Sequence, residues 1–160
     1  MQLSEIYIVD FEPEHFARIT LRKEDALDIK GLETEALLRG WVDGRSVLYG
    51  DQVVCFYGVS INDGVGQIWS VTSPLAERLP LLITRIGQGL VKSLIRYGCH
   101  RVEVFCHVKN KRSLRWLTRC LGFRVEGLLR QSGPNRQDRY ILAIVNKETI
   151  QHPCNNVQGE

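Results

Sequence analysis

The sequence predicts an α/β fold with a mixed, mostly antiparallel sheet, one central parallel pair of strands and flanking helices. Short apolar and β-branched segments joined by turn residues fill 46–71, which is typical of an antiparallel meander. A long amphipathic segment then lies between two strand-like segments, 67–71 and 101–108. Because a helical connection of that length returns the chain to a parallel neighbour by a right-handed crossover, these two segments should pair in parallel. Ligands of open α/β sheets favour the groove that opens at such a place.

Length and composition indicate one globular domain. The chain has 160 residues, of which 44% are hydrophobic and 24% charged. We expect one domain over residues 1–145 and a flexible tail over 146–160, where hydrophobic periodicity is lost. No apolar run approaches the ~20 residues that span a bilayer, and the N-terminus lacks the basic and apolar regions of a signal peptide. These features predict a cytoplasmic protein.

The cysteines indicate reduced thiols. There are five, an odd number, and most fall within apolar strand or helix patterns rather than in paired motifs. A zinc site built from Cys99, His100, Cys106 and His107 is the alternative. Adjacent residues of a strand point to opposite faces and cannot easily share one ion. The sequence therefore predicts no metal site.

The N-terminal segments predict one strand and three helices. Residues 4–11 alternate in polarity and predict an edge strand. The acidic residues and proline at 12–14 are typical of a helix start, so 15–21 is predicted to be helical. Two amphipathic segments, 23–30 and 34–42, predict two further helices that would cover one face of the sheet and wall one side of the cleft.

Two turn signals divide the meander. The dipeptide Gly-Asp at 50–51 joins predicted strands 46–49 and 52–60 by a two-residue hairpin. The tripeptide Asn-Asp-Gly at 62–64 leads into a third strand at 66–71.

The long helix of the crossover is predicted over 81–97, with Pro80 at its first position. Ser73 suits the cap of the short turn before it. Gly87 and Gly89 each lower helix propensity by about 1 kcal/mol, which predicts close packing of this helix against the sheet.

A second helix is predicted over 111–121, with Asn110 as its N-cap and a leucine stripe along one side. Gly122 suits the left-handed position that ends such a helix. Strands 123–129 and 139–145 follow, joined by a long hairpin loop.

Charge is distributed unevenly along the chain. The segment 23–35 is acidic, whereas the nine basic residues between Lys109 and Arg139 face only Glu126 and Asp138. A basic face of that kind suits an anionic partner such as a nucleotide, an acidic protein surface or nucleic acid. A merely solvated helix face would give the same pattern.

The predicted order of elements, β-α-α-β-β-β-α-β-α-β-β, resembles the GNAT (Gcn5-related N-acetyltransferase) fold. The most specific match is the segment 110–123, Asn-Lys-Arg-Ser-Leu-Arg-Trp-Leu-Thr-Arg-Cys-Leu-Gly-Phe, which resembles the Asn-x-x-Ala-Ile-x-x-Tyr-x-x-x-Gly-Phe end of such domains. Within that superfamily the chain is similar to the acetyltransferase-like internal virion protein family of short-tailed phages and prophages. That likeness is carried by three stretches: 21–25 with 35–38, 56–59 with 64–72, and 112–117.

The resemblance implies acetyl-CoA as the ligand of the groove, and this chain departs from it at the phosphate loop. Active enzymes hold the pyrophosphate on the amides of a glycine-rich loop at a helix N-terminus. Here the segment 73–80, Ser-Pro-Leu-Ala-Glu-Arg-Leu-Pro, has no glycine, offers the carboxylate of Glu77 and loses two donors to proline. The guanidinium of Arg78 would compensate in part. The residues implied for coenzyme contact are Val71, Thr72, Arg78, Leu81, Arg85 and Asn110.

The second departure concerns catalysis. The resemblance implies a tyrosine as general acid toward the departing thiolate, but Leu117 stands at the aligned position and cannot donate a proton. Glu103 and His107 share one face of the strand 101–108 and are the candidate general bases, with structural polar residues as the plain alternative. Trp69 would line the pocket or pack in the core.

Three functions are consistent with these residues. The first is a phage or prophage accessory protein that keeps the acetyltransferase fold for a virion, assembly or host-interaction role, with weak or absent catalysis. Its partners would be phage structural or host proteins, in the host cytoplasm or the virion. The second is a working acetyl-CoA-dependent N-acetyltransferase. Nucleic-acid binding ranks last, because helix 111–121 carries no fingerprint of groove readers.

Overall fold

The computed structural model describes residues 5–29 and 44–146. The N-terminal half of this part contains β1 (Ile6–Asp10), α1 (Pro13–Arg18), α2 (Lys23–Ile29), β2 (Arg45–Tyr49), β3 (Gln52–Asn62) and β4 (Val65–Thr72). A 3₁₀ turn (Pro74–Arg78) leads into α3 (Pro80–Arg96), which is followed by β5 (Arg101–His107), α4 (Lys111–Arg119), β6 (Arg124–Leu129) and β7 (Arg139–Val145). The helix predicted at 34–42 and the tail after residue 146 lie outside the described residues.

The strands form one sheet in the order β1-β2-β3-β4-β5-β7-β6. All neighbouring strands are antiparallel except β4 and β5. The parallel pairing is short, because it joins only Val65–Gln67 to Arg101–Glu103. The mixed sheet with one central parallel pair is therefore confirmed, and the remainder of β4 and β5 is not paired together.

The turns of the meander have the backbone that their residues predict. Asp63 and Gly64 both adopt positive φ, 48° and 77°, which is the conformation of a two-residue type I′ hairpin. The right-handed twist of that turn matches the strands on either side, so β3 and β4 stay in register from Cys55–Thr72 to Asn62–Val65. The meander thus sets the position of β4 at the centre of the sheet.

The two faces of the sheet carry different helices. On one face, Val91 and Leu94 of α3 and Leu117 of α4 pack in one buried cluster with strand residues. The strand members include Val104 of β5 and Leu142 of β7. On the other face, Ile29 of α2 and Phe16 of α1 pack against β3 and β4. Because side chains alternate along β5, Phe105 and His107 point to the α1/α2 face while Val104 and Cys106 point to the α3/α4 face.

Helix α1 begins two residues earlier and ends three residues earlier than predicted. Pro13 occupies the first turn, and the ring Nδ1 of His15 accepts a hydrogen bond from the backbone N–H of Glu12 at 3.1 Å. Ile19 is already extended, with φ −74° and ψ 131°. The side chain of His15 therefore satisfies a backbone donor at the start of the helix.

Two further details differ from the predictions. Ser73 does not cap the short turn, because its hydroxyl donates to the carbonyl of Val54 at 2.8 Å. Gly87 packs closely, but against α4 and the residues just after it rather than against the sheet. A Cβ there would lie 2.9 Å from Leu121 and 3.2 Å from Trp116. Gly89 faces open space.

Candidate active site

A cavity of about 910 Å³ lies where β4 and β5 diverge. Trp69 and His107 line it from the α1/α2 side, and Ile86, Leu117 and Phe123 line it from the α3/α4 side. Since these groups belong to opposite faces, the cavity passes between the two strands. We call this space the cleft. Its shape allows two molecules to meet from opposite sides of the sheet.

A polar network centred on Asp25 of α2 crosses the cleft at the C-terminal end of β4. The carboxylate of Asp25 accepts hydrogen bonds from the backbone N–H of Thr72 at 3.0 Å and from its hydroxyl at 2.5 Å. It also pairs with Arg22, whose Nε and Nη2 donate at 3.1 and 3.0 Å. Both charged side chains are nearly buried, with 11% and 12% exposed. The last backbone donor of β4 is therefore occupied by the protein itself.

The same network reaches the start of α4. Asn110 Oδ1 accepts the N–H of Ser113 at 3.1 Å, which is the predicted N-cap, and its Nδ2 donates to Asp25 at 3.4 Å. Arg22 Nη2 donates to Ser113 Oγ at 3.2 Å. Helix α2, strand β4 and helix α4 are thus tied together around one carboxylate. We call Arg22, Asp25, Thr72, Asn110 and Ser113 the Asp25 network.

The turn after β4 lacks the features of a phosphate cradle. Ala76 and Leu79 are buried, and the backbone N–H of Ser73 donates to the carbonyl of Val54 at 2.9 Å. Pro80 occupies the first turn of α3 and supplies no N–H. Glu77 forms an ion pair with Arg112 of α4. The residues present do not match the glycine-rich arrangement that receives a pyrophosphate.

The predicted coenzyme contacts separate into two groups. Val71, Thr72 and Asn110 line the cleft. The other three, Arg78, Leu81 and Arg85, are exposed on the turn and the first turns of α3 and do not line it. Leu81 is 73% exposed. The cleft and the predicted phosphate contacts are therefore adjacent but distinct.

His107 is buried at the wall of the cleft. Its Nδ1 accepts the backbone N–H of Lys109 at 2.9 Å. In the neutral ring the proton therefore sits on Nε2, so that nitrogen donates rather than accepts. This arrangement suits a hydrogen-bond donor to an oxygen in the cleft better than a base that removes a proton.

Glu103 lies away from His107, four residues back along β5, or about 13 Å at the usual strand rise. It pairs with Arg101 at 3.0 Å and lines a smaller pocket of about 390 Å³ beside Gln67. Arg101 also binds Glu126, at 2.5 Å. These hydrogen bonds raise the pKa of Arg101 and lower that of Glu126. The structure does not bring the two candidate bases together.

Two cleft residues lack acid–base chemistry at neutral pH. Leu117 is buried in the core beside the cleft and donates no proton. Burial raises the pKa of Cys55 from its usual 9.0 to about 12, so its thiol stays neutral and is a poor nucleophile. Among residues 5–29 and 44–146, no group of three or more His, Cys, Asp or Glu side chains could hold a metal ion.

No sequence pattern predicted that Arg22, Asp25 and Ser113 would be site residues. The one local signal is the spacing of Arg22 and Asp25, which places opposite charges three residues apart at the start of a helix. The partners Thr72 and Asn110 lie 47 and 85 residues from Asp25. No sequence period reports contacts over such distances.

Comparison with solved structures gives the fold of acetyltransferases. Ard1 from Thermoplasma volcanium matches with a TM-score of 0.70 and 13% identity over 88% of this chain and 97% of that one. The ribosomal-protein-S18-alanine N-acetyltransferase from Escherichia coli gives 0.67 and 13% over 92% and 97%. A GNAT-family acetyltransferase from Bacillus anthracis gives 0.65 and 18% over 90% and 96%. The chain therefore has the GNAT fold.

No protein-family model matches the chain, and no curated protein matches it. In the part of the chain that the structure describes, no helix is both long and apolar enough to cross a membrane.

Proposed function

We propose that this protein is a phage- or prophage-encoded, acetyltransferase-like accessory protein of the GNAT fold, with a virion, assembly or host-interaction role and weak or absent acetyl transfer. The main support for weak acetyl transfer is the Asp25 network. The Asp25 carboxylate accepts hydrogen bonds from the backbone N–H of Thr72, the last donor of β4, and from the side-chain amide of Asn110. A pantetheine chain in the cleft would have to compete with an internal, charged acceptor for these groups.

Three other features support low activity. The turn before α3 has no glycine and carries Glu77 in an ion pair. Leu117 supplies no general acid. The backbone N–H of Lys109 occupies Nδ1 of His107, so this nitrogen is not available as a base. The accessory role rests on the resemblance to the phage internal virion protein family, and mass spectrometry of purified virions from an induced lysogen would test it.

Coenzyme A binding tests the role of the Asp25 network. We expect weak binding, so calorimetry with the native protein should give a Kd in the millimolar range. The double variant Arg22→Met/Asp25→Ala removes both charges and frees the Thr72 N–H, so its affinity should rise at least tenfold. Glu24→Ala removes a neighbouring carboxylate of α2 that has no hydrogen bond within residues 5–29 and 44–146, and should leave the affinity unchanged. A native Kd in the micromolar range, or no gain in the double variant, would overturn the proposal.

The second candidate is an active acetyl-CoA-dependent N-acetyltransferase that acts on an amine of a protein or small molecule. It is favoured by the cleft, whose two sides would let an acyl thioester and an amine approach from opposite faces of the sheet. Release of free thiol from acetyl-CoA across a panel of amines tests it. Turnover on the order of 1 s⁻¹ or faster, as in ordinary enzymes, would make this the function.

A further inference from the structure

The outer side of the α3/α4 layer is strongly basic. Neither helix contains an aspartate or a glutamate. Six exposed cations lie on these helices: Arg85, Lys92 and Arg96 on α3, and Lys111, Arg115 and Arg119 on α4. We call these six the basic face. A seventh, Arg112, is paired with Glu77.

The cations form two ordered stripes. At 100° per residue, Arg85, Lys92 and Arg96 fall within about 40° of one another around α3 and extend over about 16 Å of its length. On α4, successive cations are four residues or about 6 Å apart. Regular spacing of exposed like charges on one side of a helix is unfavourable for the isolated protein, and an anionic partner with repeated charges relieves it.

Contacts between α3 and α4 hold the two stripes side by side in one layer. The amide of Gln88, which lies between Arg85 and Lys92 in the sequence, donates to the carbonyl of Cys120 at 3.1 Å, directly after Arg119. Deeper in the interface, Trp116 Nε1 donates to Thr84 at 3.0 Å. The absence of a side chain at Gly87 lets the helices approach closely. The two stripes therefore lie on helices that are packed directly against each other.

We propose that the basic face binds the phosphate backbone of nucleic acid without reading its sequence. Phosphates at regular intervals complement the stripes of guanidinium and ammonium groups, and released counterions supply the driving force. The face holds no aligned set of base-reading side chains in a groove-binding motif, so binding should be sequence-independent. This site lies outside the cleft and does not depend on acetyl transfer.

The exposed apolar residues argue against a membrane as the partner. Helices that lie on lipid bury a face of Trp, Phe or Leu beneath their cations. The large apolar residues exposed on or beside these helices are Leu81 and Tyr97, which lie at opposite ends of α3. On α4, Leu114 and Trp116 pack against the core and Leu117 lies within it. The basic face therefore presents positive charge but no apolar side chains that could insert into a membrane.

Fluorescence anisotropy with a labelled 20-base-pair DNA duplex between 50 and 200 mM salt tests the proposal. The native protein should bind, with an affinity that falls steeply as salt rises. Arg115→Gln/Arg119→Gln should weaken binding at least tenfold at 0.1 M salt and reduce the salt slope by about 1.8, since each lost phosphate contact removes about 0.9. The control Lys23→Gln/Arg130→Gln removes two exposed cations elsewhere and should change affinity less than twofold.

Three results would overturn the proposal. One is the absence of binding at 50 mM salt, and another is an equal loss in both double variants. The third is binding to anionic vesicles or to polyglutamate without binding to DNA, which would identify a lipid surface or an acidic protein as the partner. All four substituted residues are exposed, and circular dichroism would verify that each variant is folded.

Discussion

The two faces of the central sheet are covered in different ways. On the α3/α4 face, contact is mainly apolar and depends on close approach at Gly87. On the α1/α2 face, apolar packing by Phe16 and Ile29 is joined by the charged Asp25 network, which ties α2 to the end of β4. The difference teaches that the α3/α4 layer is held mainly by apolar packing, whereas the α1/α2 layer also depends on nearly buried charges beside the cleft. Mutations can separate these two contributions to stability.

The largest expected effect is on the network side. Asp25→Ala leaves the nearly buried guanidinium of Arg22 with Ser113 as its described side-chain partner, and we expect a loss of about 3 kcal/mol of unfolding free energy. Urea unfolding measures this. Arg22→Met/Asp25→Ala should recover part of the loss, because no charge is then left unpaired. A single variant as stable as the native protein would show that the network contributes little to stability.

The apolar side is tested by two glycines of the same helix. Gly87→Val would force side-chain atoms into Leu121 and Trp116, and overpacking of this kind costs about 1–3 kcal/mol. Gly89→Ala meets open space and should stabilise α3 by up to about 1 kcal/mol through helix propensity. Thermal unfolding of the two variants should therefore shift in opposite directions. A shift of both variants in the same direction would contradict the interface between α3 and α4.

The cleft wall contributes a pH dependence through Cys55. Its pKa is raised by burial to about 12, whereas the unfolded thiol titrates near 9.0. As pH rises, the unfolded chain therefore loses the thiol proton before the folded protein does. The contribution of Cys55 to the free energy of unfolding is fully present below pH 9 and is lost as pH rises toward 12. At pH 10 the free energy of unfolding is lower by about 1.4 kcal/mol through this thiol. Cys55→Ala should show a smaller decline in stability between pH 8.5 and 10 than the native protein.

Local patterns predicted most of the fold. Turn residues at 62–64, the proline at the start of α3 and the cap residue Asn110 all have the roles that their types favour. These features depend on neighbours within a few residues, where propensity and capping act. The parallel pairing of β4 and β5 also followed, because the handedness and length of the crossover leave few alternatives.

The polar part of the site could not be predicted in the same way. Asp25 was counted only as one acidic residue of an acidic segment, yet it organises the end of β4 and the start of α4. The partner of Gly87 was likewise misassigned, because a glycine signals close approach without naming the neighbour. Contacts between distant segments depend on how the helices pack on the two faces of the sheet. Hydrophobic periodicity does not contain that information.

The smallest expected effect distinguishes the two candidate bases on β5. Glu103 pairs with Arg101 beside the smaller pocket, so Glu103→Gln should change stability by less than about 1 kcal/mol. It should also leave any acetyl transfer within about twofold of the native rate. His107→Gln removes the ring at the cleft wall and should lower any transfer further than Glu103→Gln does. If Glu103→Gln abolished transfer while His107→Gln did not, the chemistry would lie at the Gln67 end of the parallel pair, and the Asp25 network would no longer explain a weak activity.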